Sequence, residues 1–176
     1  MMVLRYHPLL VALHWLLAAM IGIQLGVGYF TISKMSNADP AKLGPLGNHM
    51  GLGTVIIVLM AIRLITRFFT SHPTPTASQQ QGLGKLRTPV HLLLYAVILI
   101  TALSGWFTGF LIAHLYEVPG NTLPADFATY PTRVVHVWMA LVLFLLIVLH
   151  ITAAFKEMMS GDVHILERVG FGKRSS

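Results

Sequence analysis

The chain contains no cysteine. A disulfide framework, thiolate-held zinc, iron–sulfur clusters and thioether-linked cofactors are therefore excluded, and any metal chemistry falls to histidine. Charge is almost as scarce. Only 10% of the 176 residues are charged, against roughly a quarter in an ordinary soluble domain. A water-soluble globule is excluded on that count. The six acids, Asp39, Glu117, Asp126, Glu157, Asp162 and Glu167, all fall outside the central parts of the long apolar runs, which leaves no intramembrane carboxylate for a proton relay. Also missing are a Gly-rich phosphate loop after a strand and a His-Glu-x-x-His zinc run.

What the chain has in abundance is apolar: 55% hydrophobic residues and a mean hydropathy of +0.72. Four runs stand out, about 9–30, 47–69, 89–113 and 134–155, each close to the roughly 20 residues a helix needs to cross a ~30 Å hydrocarbon core. Between them lie Asn37, Asp39, Pro40 and Pro45; then Pro73, Pro75 and Gln79 to Gln81; then Pro119, Gly120, Pro124 and Pro131. Such clusters stop helices and build loops. A barrel would need alternating strands of about ten residues, which uninterrupted apolar runs do not supply. The expected fold is all-α: a four-transmembrane-helix bundle, one membrane domain over residues 1–176.

A single arginine precedes the first run and no small-residue cleavage site follows it, so this run is expected to remain as an anchor rather than leave as a signal peptide. The formal net charge of +6 reads as a topology signal, not as affinity for nucleic acid. Arg5, Arg63, Arg67, Lys85, Arg87, Lys156, Arg168, Lys173 and Arg174 fall on the side holding both ends of the chain, against Lys34, Lys42 and Arg133 opposite. The positive-inside rule then puts both termini in the cytoplasm.

Nine histidines in so apolar a chain are the informative anomaly, because an ionisable group at membrane depth is costly and marks a functional site by default. His7, His72, His114 and His164 lie at or beyond the ends of the runs, where solvated histidines need no explanation. His14, His49, His91, His136 and His150 lie within them. His136 and His150 share the fourth run, 14 residues apart. At ~1.5 Å and ~100° per residue they stand about 21 Å apart along the axis and within about 40° of one another on one face. His14 matches the depth of His150, and His49 that of His136. Two histidines opposed across a bundle can fill both axial positions of a haem iron, with the macrocycle between the helices. Small residues at four-residue steps from these histidines (Ala18, Gly22 and Gly26; Gly53; Ala140; Ala154) leave room for a flat ligand, although small residues also pack membrane helices together. An interhelical hydrogen bond is the plainer reading of any one intramembrane histidine.

His91, two residues inside Pro89, is shallower. It suits a hydrogen bond to a haem propionate or a quinone, or else a solvated interfacial position. Arg63 and Arg67 occupy the same half of the second run, where a guanidinium can meet a haem carboxylate or snorkel toward anionic lipid. Snorkelling is the reading for Arg67.

Leu13-His14-Trp15, His49 opening a run that ends Met60-Ala61-Ile62-Arg63-Leu64-Ile65-Thr66-Arg67, His91-Leu92-Leu93-Leu94-Tyr95, and His136 with His150 together resemble the bacterial cytochrome b561 family, relatives of the cytochrome b subunits of nickel–iron hydrogenases. The resemblance covers all four runs. It implies a multi-pass protein of the bacterial inner membrane with two non-covalent b haems, His14 paired with His150 and His49 with His136, with His91 close to the cytoplasmic haem. It also implies electron transfer to or from quinone, ubiquinone in some members, which take superoxide as the periplasmic donor and so act as superoxide:quinone oxidoreductases. Members often place further histidines a turn or two after the last ligand, where this chain has Phe155-Lys156-Glu157-Met158. Lys34, Lys42 and Arg133 are also few for a positive collecting surface. The expected function is transmembrane electron transfer by a di-haem b-type cytochrome within the lipid bilayer, with quinone and a redox protein as partners. The alternative is a membrane-anchor subunit that wires a dehydrogenase or hydrogenase to quinone. A histidine-lined zinc or copper transporter is a third reading.

Overall fold

The structure is a computed structural model that describes residues 6–71 and 87–159. His72 and His164, the Gln79 to Gln81 stretch, Asp162 and Glu167, and the basic residues Arg5, Lys85, Arg168, Lys173 and Arg174 lie outside the described residues, as does the side chain of Arg87. The described residues are helical, with four helices long and apolar enough to cross a membrane.

Helix α1 spans Pro8–Gly26. It starts where Pro8 takes the first helical position, whose amide would be unpaired in any case, and where the His7 imidazole accepts from the amide of Leu9 at 3.3 Å. It does not stop at Gly26. A π-helical turn, Val27–Thr31, and a 3-10 turn, Ile32–Lys34, prolong it. A second 3-10 turn, Pro40–Lys42, is capped by the Asp39 carboxylate accepting from the Ala41 amide at 2.9 Å, and leads into α2, Leu43–Phe69. Helix α2 thus begins at Leu43 rather than Gly47, because Pro45 sits in its first turn, where a missing N–H costs no hydrogen bond. Helix α3 spans Arg87–Leu111 and α4 spans Pro131–Met159.

All four helices meet in one apolar cluster: Leu17 and Ile21 from α1, Ile56 and Met60 from α2, Val97 from α3 and Leu143 from α4. This cluster lies midway along the bundle. Leu143 is halfway between His136 and His150, and Leu17 and Ile21 follow His14. Most other apolar side chains face outward, Phe68 at 78% exposure and Phe144 at 52% among them. In a soluble domain that surface would be an aggregation hazard; on helices of this length it is the lipid-facing surface.

A smaller cluster covers the end near His49 and His136. Ile112, Leu123 and Phe127 pack against Leu43, Leu46, Tyr116 and Tyr130, so the 112–130 connection folds over the start of α2. Its amide at Leu123 donates to the carbonyl of Asn37 at 3.1 Å, which ties the two connections at this end together. Lys42, only 6% exposed, points into them and donates to the carbonyl of Met35 at 2.8 Å and to the Asn37 side-chain oxygen at 2.7 Å.

Candidate functional site: two histidine pairs

The up-and-down order of the helices brings the beginning of α1, the end of α2, the beginning of α3 and the end of α4 to one end of the bundle. There His14 on α1 faces His150 on α4 with ring centroids 6.3 Å apart and planes at 74°. At the other end His49 on α2 faces His136 on α4 with centroids 6.0 Å apart and planes at 83°. Two imidazoles that share one metal through nitrogens about 2 Å from it, each with a ring radius of about 1 Å, have centroids roughly 6 Å apart. Both pairs fit that span. All four rings are half-buried, and the apolar cluster around Leu143 separates the two levels.

His91 joins the first level. Its ring stands edge-on to His150 with centroids 5.2 Å apart, closer than a shared metal would hold them. Arg63 on α2 lies beside His14; its Nε donates to the Tyr95 hydroxyl at 2.9 Å and another guanidinium nitrogen donates to the carbonyl of Leu10. The arginine is therefore pinned among α1, α2 and α3. Arg67 is half-buried one turn further on. His7 and His114 are exposed at helix margins.

The second level is built with more constraint. His136 Nδ1 sits 2.7 Å from the main-chain carbonyl of Thr101. That carbonyl can hold the Nδ1–H tautomer, which leaves Nε2 as the nitrogen with a free lone pair. The ring rests against Gly105, where an added Cβ would stand 2.8 Å from its Cε1 and Nδ1. His49 rests against Gly28 of the π-helical turn, whose Cβ position is 3.5 Å from its Cε1. The side-chain atoms buried without a hydrogen-bond partner among the described residues are His49 Nδ1, Gln24 Oε1 and the Tyr116 hydroxyl. Gln24 bonds to His49, and Tyr116 packs on Gly47, so the unpaired atoms gather around this level. Arg133 is the cation beside both His49 and His136.

Sequence reading singled out neither Thr101 nor Gly105, nor Gly28 and Gln24. A signal for the first two was present: Thr101, Ser104, Gly105, Thr108 and Gly109 follow one another at helical spacing, a small and polar stripe on an apolar helix. The Met50 thioether fills the space beside Gly109. Two of the small residues expected to leave room beside His14 stand next to open space. Gly22 and Gly26 meet nothing within 4 Å, while the glycines that touch imidazoles belong to neighbouring segments.

A family model described as prokaryotic cytochrome b561 matches residues 5–172. No curated protein and no solved structure matches the chain significantly. The match runs across all four helices and both histidine levels, and it brings with it b-type haem binding and membrane electron transfer as the family's common character. A multi-pass bacterial membrane protein built around four such helices, this chain belongs to the prokaryotic cytochrome b561 family.

Proposed function

We propose that the protein is a di-haem cytochrome of the bacterial inner membrane that passes single electrons between its two faces, exchanging them with the quinone pool on the cytoplasmic side. The observation that supports this most directly is the pair of opposed imidazoles at each level, 6.3 Å and 6.0 Å between centroids. On this reading His14 with His150 would hold one haem and His49 with His136 the other. The cytoplasmic placement of the His14 level is supported by the nine Lys and Arg residues on that side of the expected topology, against three opposite.

Haem held at these pairs would supply one-electron exchange. The chain's own residues prepare the sites. The Thr101 carbonyl fixes the His136 ring, Gly105 and Gly28 let the helices close on the imidazoles, and the Leu17, Ile56, Val97 and Leu143 layer keeps water from the space between the levels. Arg63 holds α1, α2 and α3 at the cytoplasmic level and places its cation where a haem carboxylate would meet it. His91, beside His150, is positioned for a propionate or a quinone oxygen.

The periplasmic donor or acceptor is better read as a redox protein than as superoxide. Lys42 is buried into Met35 and Asn37, and Arg133 is half-buried with its guanidinium over the Phe127 ring at 5.7 Å. Of the three cations at that end only Lys34 is exposed, and it lies over the Tyr29 ring at 5.1 Å. That leaves little positive field to collect an anion. The compact 112–130 connection also suits the second reading, a cytochrome b anchor subunit whose donor is a bound dehydrogenase or hydrogenase.

The deciding experiment is a haem-to-protein ratio with reduced-minus-oxidised spectra of the purified chain. A ratio of two, falling to one in His136→Ala and in His150→Ala, is the expected result. A colourless folded protein, or haem content unchanged in both variants, overturns the proposal, and zinc or copper in place of haem would favour a transporter.

A further inference from the structure

Helix α1 has one amide side chain, Gln24, and it is buried at 9% exposure. Its Nε2 donates to the main-chain carbonyl of His49 at 2.6 Å. On α2 the residue beneath it is Gly53, where a Cβ would stand 3.8 Å from Nε2, so the amide lies flat against the helix that presents His49. The other half of the amide is unpaired. Gln24 Oε1 and His49 Nδ1 are both buried without a partner among the described residues. An amide oxygen only accepts, and the protonated nitrogen of a neutral imidazole only donates. Two complementary buried atoms thus belong to two residues already joined by a hydrogen bond. Across the same site the Nδ1 of His136 has found its acceptor in Thr101; His49 has no main-chain carbonyl in that place.

We propose that Gln24 is the positioning residue for His49: the two unpaired atoms join when the site is filled, Oε1 then accepting the Nδ1–H of the imidazole and leaving Nε2 as the nitrogen that faces His136. The inference rests on the reading that this pair holds a haem. An acceptor on the second nitrogen fixes the ring orientation and raises the basicity of a ligating imidazole, which favours the ferric over the ferrous state. Gln24 therefore sets the potential of the periplasmic haem and leaves the cytoplasmic one alone.

The test is a spectroelectrochemical titration of the purified, haem-loaded full chain. Gln24→Met removes the acceptor while keeping an unbranched side chain, and should move one of two midpoint potentials upward with the other unmoved. Gln24→Glu retains an acceptor oxygen and should give a value at or below that of the unaltered protein. Both midpoints unmoved in Gln24→Met, or both variants shifting upward together, overturns the proposal. If Gln24→Met loses the haem, Gln24→Asn takes its place: it keeps the amide but shortens its reach, and should raise the same midpoint, an unmoved value overturning the proposal. His49→Ala separates the two levels of inference. Loss of one haem in it supports the ligand pair whatever Gln24 does, whereas full haem content in it defeats the underlying reading.

Discussion

His136 is held by a main-chain atom: its Nδ1 lies 2.7 Å from the carbonyl oxygen of Thr101. The Thr101 hydroxyl is engaged elsewhere, donating to the carbonyl of Val97 at 2.7 Å. Orientation of the ring therefore depends on where α3 runs and not on the side chain at position 101. Thr101→Ala is expected to retain both haems and unchanged spectra, where His136→Ala loses one; pyridine haemochrome assay of the two variants makes the comparison.

Gly105 sets how closely α3 approaches that ring. A methyl group there would stand 2.8 Å from the imidazole, well inside contact distance, and overpacking of this kind costs about 1–3 kcal/mol. Gly105→Ala should lower thermal stability in detergent and deplete the haem of the His49 level selectively. Gly51→Ala, on the exposed side of α2, is the control. Nothing lies within 4 Å of it, and a mid-helix Gly→Ala change is worth up to about 0.5–1 kcal/mol in the stabilising direction.

Arg63 and Tyr95 should behave as a coupled pair. The guanidinium bonds to the Tyr95 hydroxyl and to the carbonyl of Leu10, and hydrogen bonds to charged groups contribute about 1.5–3 kcal/mol. Arg63→Met is expected to destabilise the bundle by roughly that amount, and Tyr95→Phe by less. The double variant should cost less than the two singles added, since residues in one hydrogen-bond network couple by about 0.5–3 kcal/mol. Additive losses in thermal unfolding would show that the two act independently.

Haem removal should loosen the fold. A ligand that binds only the folded chain adds about 2.7 kcal/mol when its free concentration is a hundred times its Kd. Protein from haem-starved cells should melt earlier than the holoprotein by circular dichroism, and added haem should restore the difference. Identical melting curves would separate the histidine pairs from any contribution of haem to stability.

Alkaline pH offers a probe of the connection that covers the His49 end. Burial raises the Tyr116 phenol above its ordinary value, so the folded protein favours the neutral form. The stability this contributes is fully present below the ordinary tyrosine range and is lost as pH rises through the raised value. An absorbance titration should show a late-ionising phenol that is missing in Tyr116→Phe, and that variant should lose less stability between neutral and strongly alkaline pH.

Much of this arrangement is legible in the sequence, because the bilayer imposes simple arithmetic. Helices must be about 20 apolar residues long, and His136 and His150 fall on one face of one helix by their spacing alone. Their opposition to His14 and His49 follows from depth matching. What spacing does not reveal is the departure from regular helix. The π-helical turn at Val27–Thr31 brings Gly28 to His49, and nothing in Val27-Gly28-Tyr29-Phe30-Thr31 announces it. Nor does sequence say which carbonyl an imidazole will meet. Thr101 is 35 residues from His136, and only the packing of α3 on α4 joins them. Gln24 is similar: alone it reads as one polar residue in an apolar run, and its meaning comes from the unpaired nitrogen across the helix boundary.

The apolar layer around Leu143 has an electrical consequence. With His136 and His150 about 21 Å apart along the axis of α4, a charge passing from one level to the other traverses much of a ~30 Å insulator. The resting potential of the cell does work on each such passage, at most about 2.3 kcal/mol per 100 mV for a full crossing. If electrons pass between the levels as proposed, an energised membrane would favour one direction, and that bias should vanish when the membrane is made leaky to ions, leaving the direction to the redox partners alone.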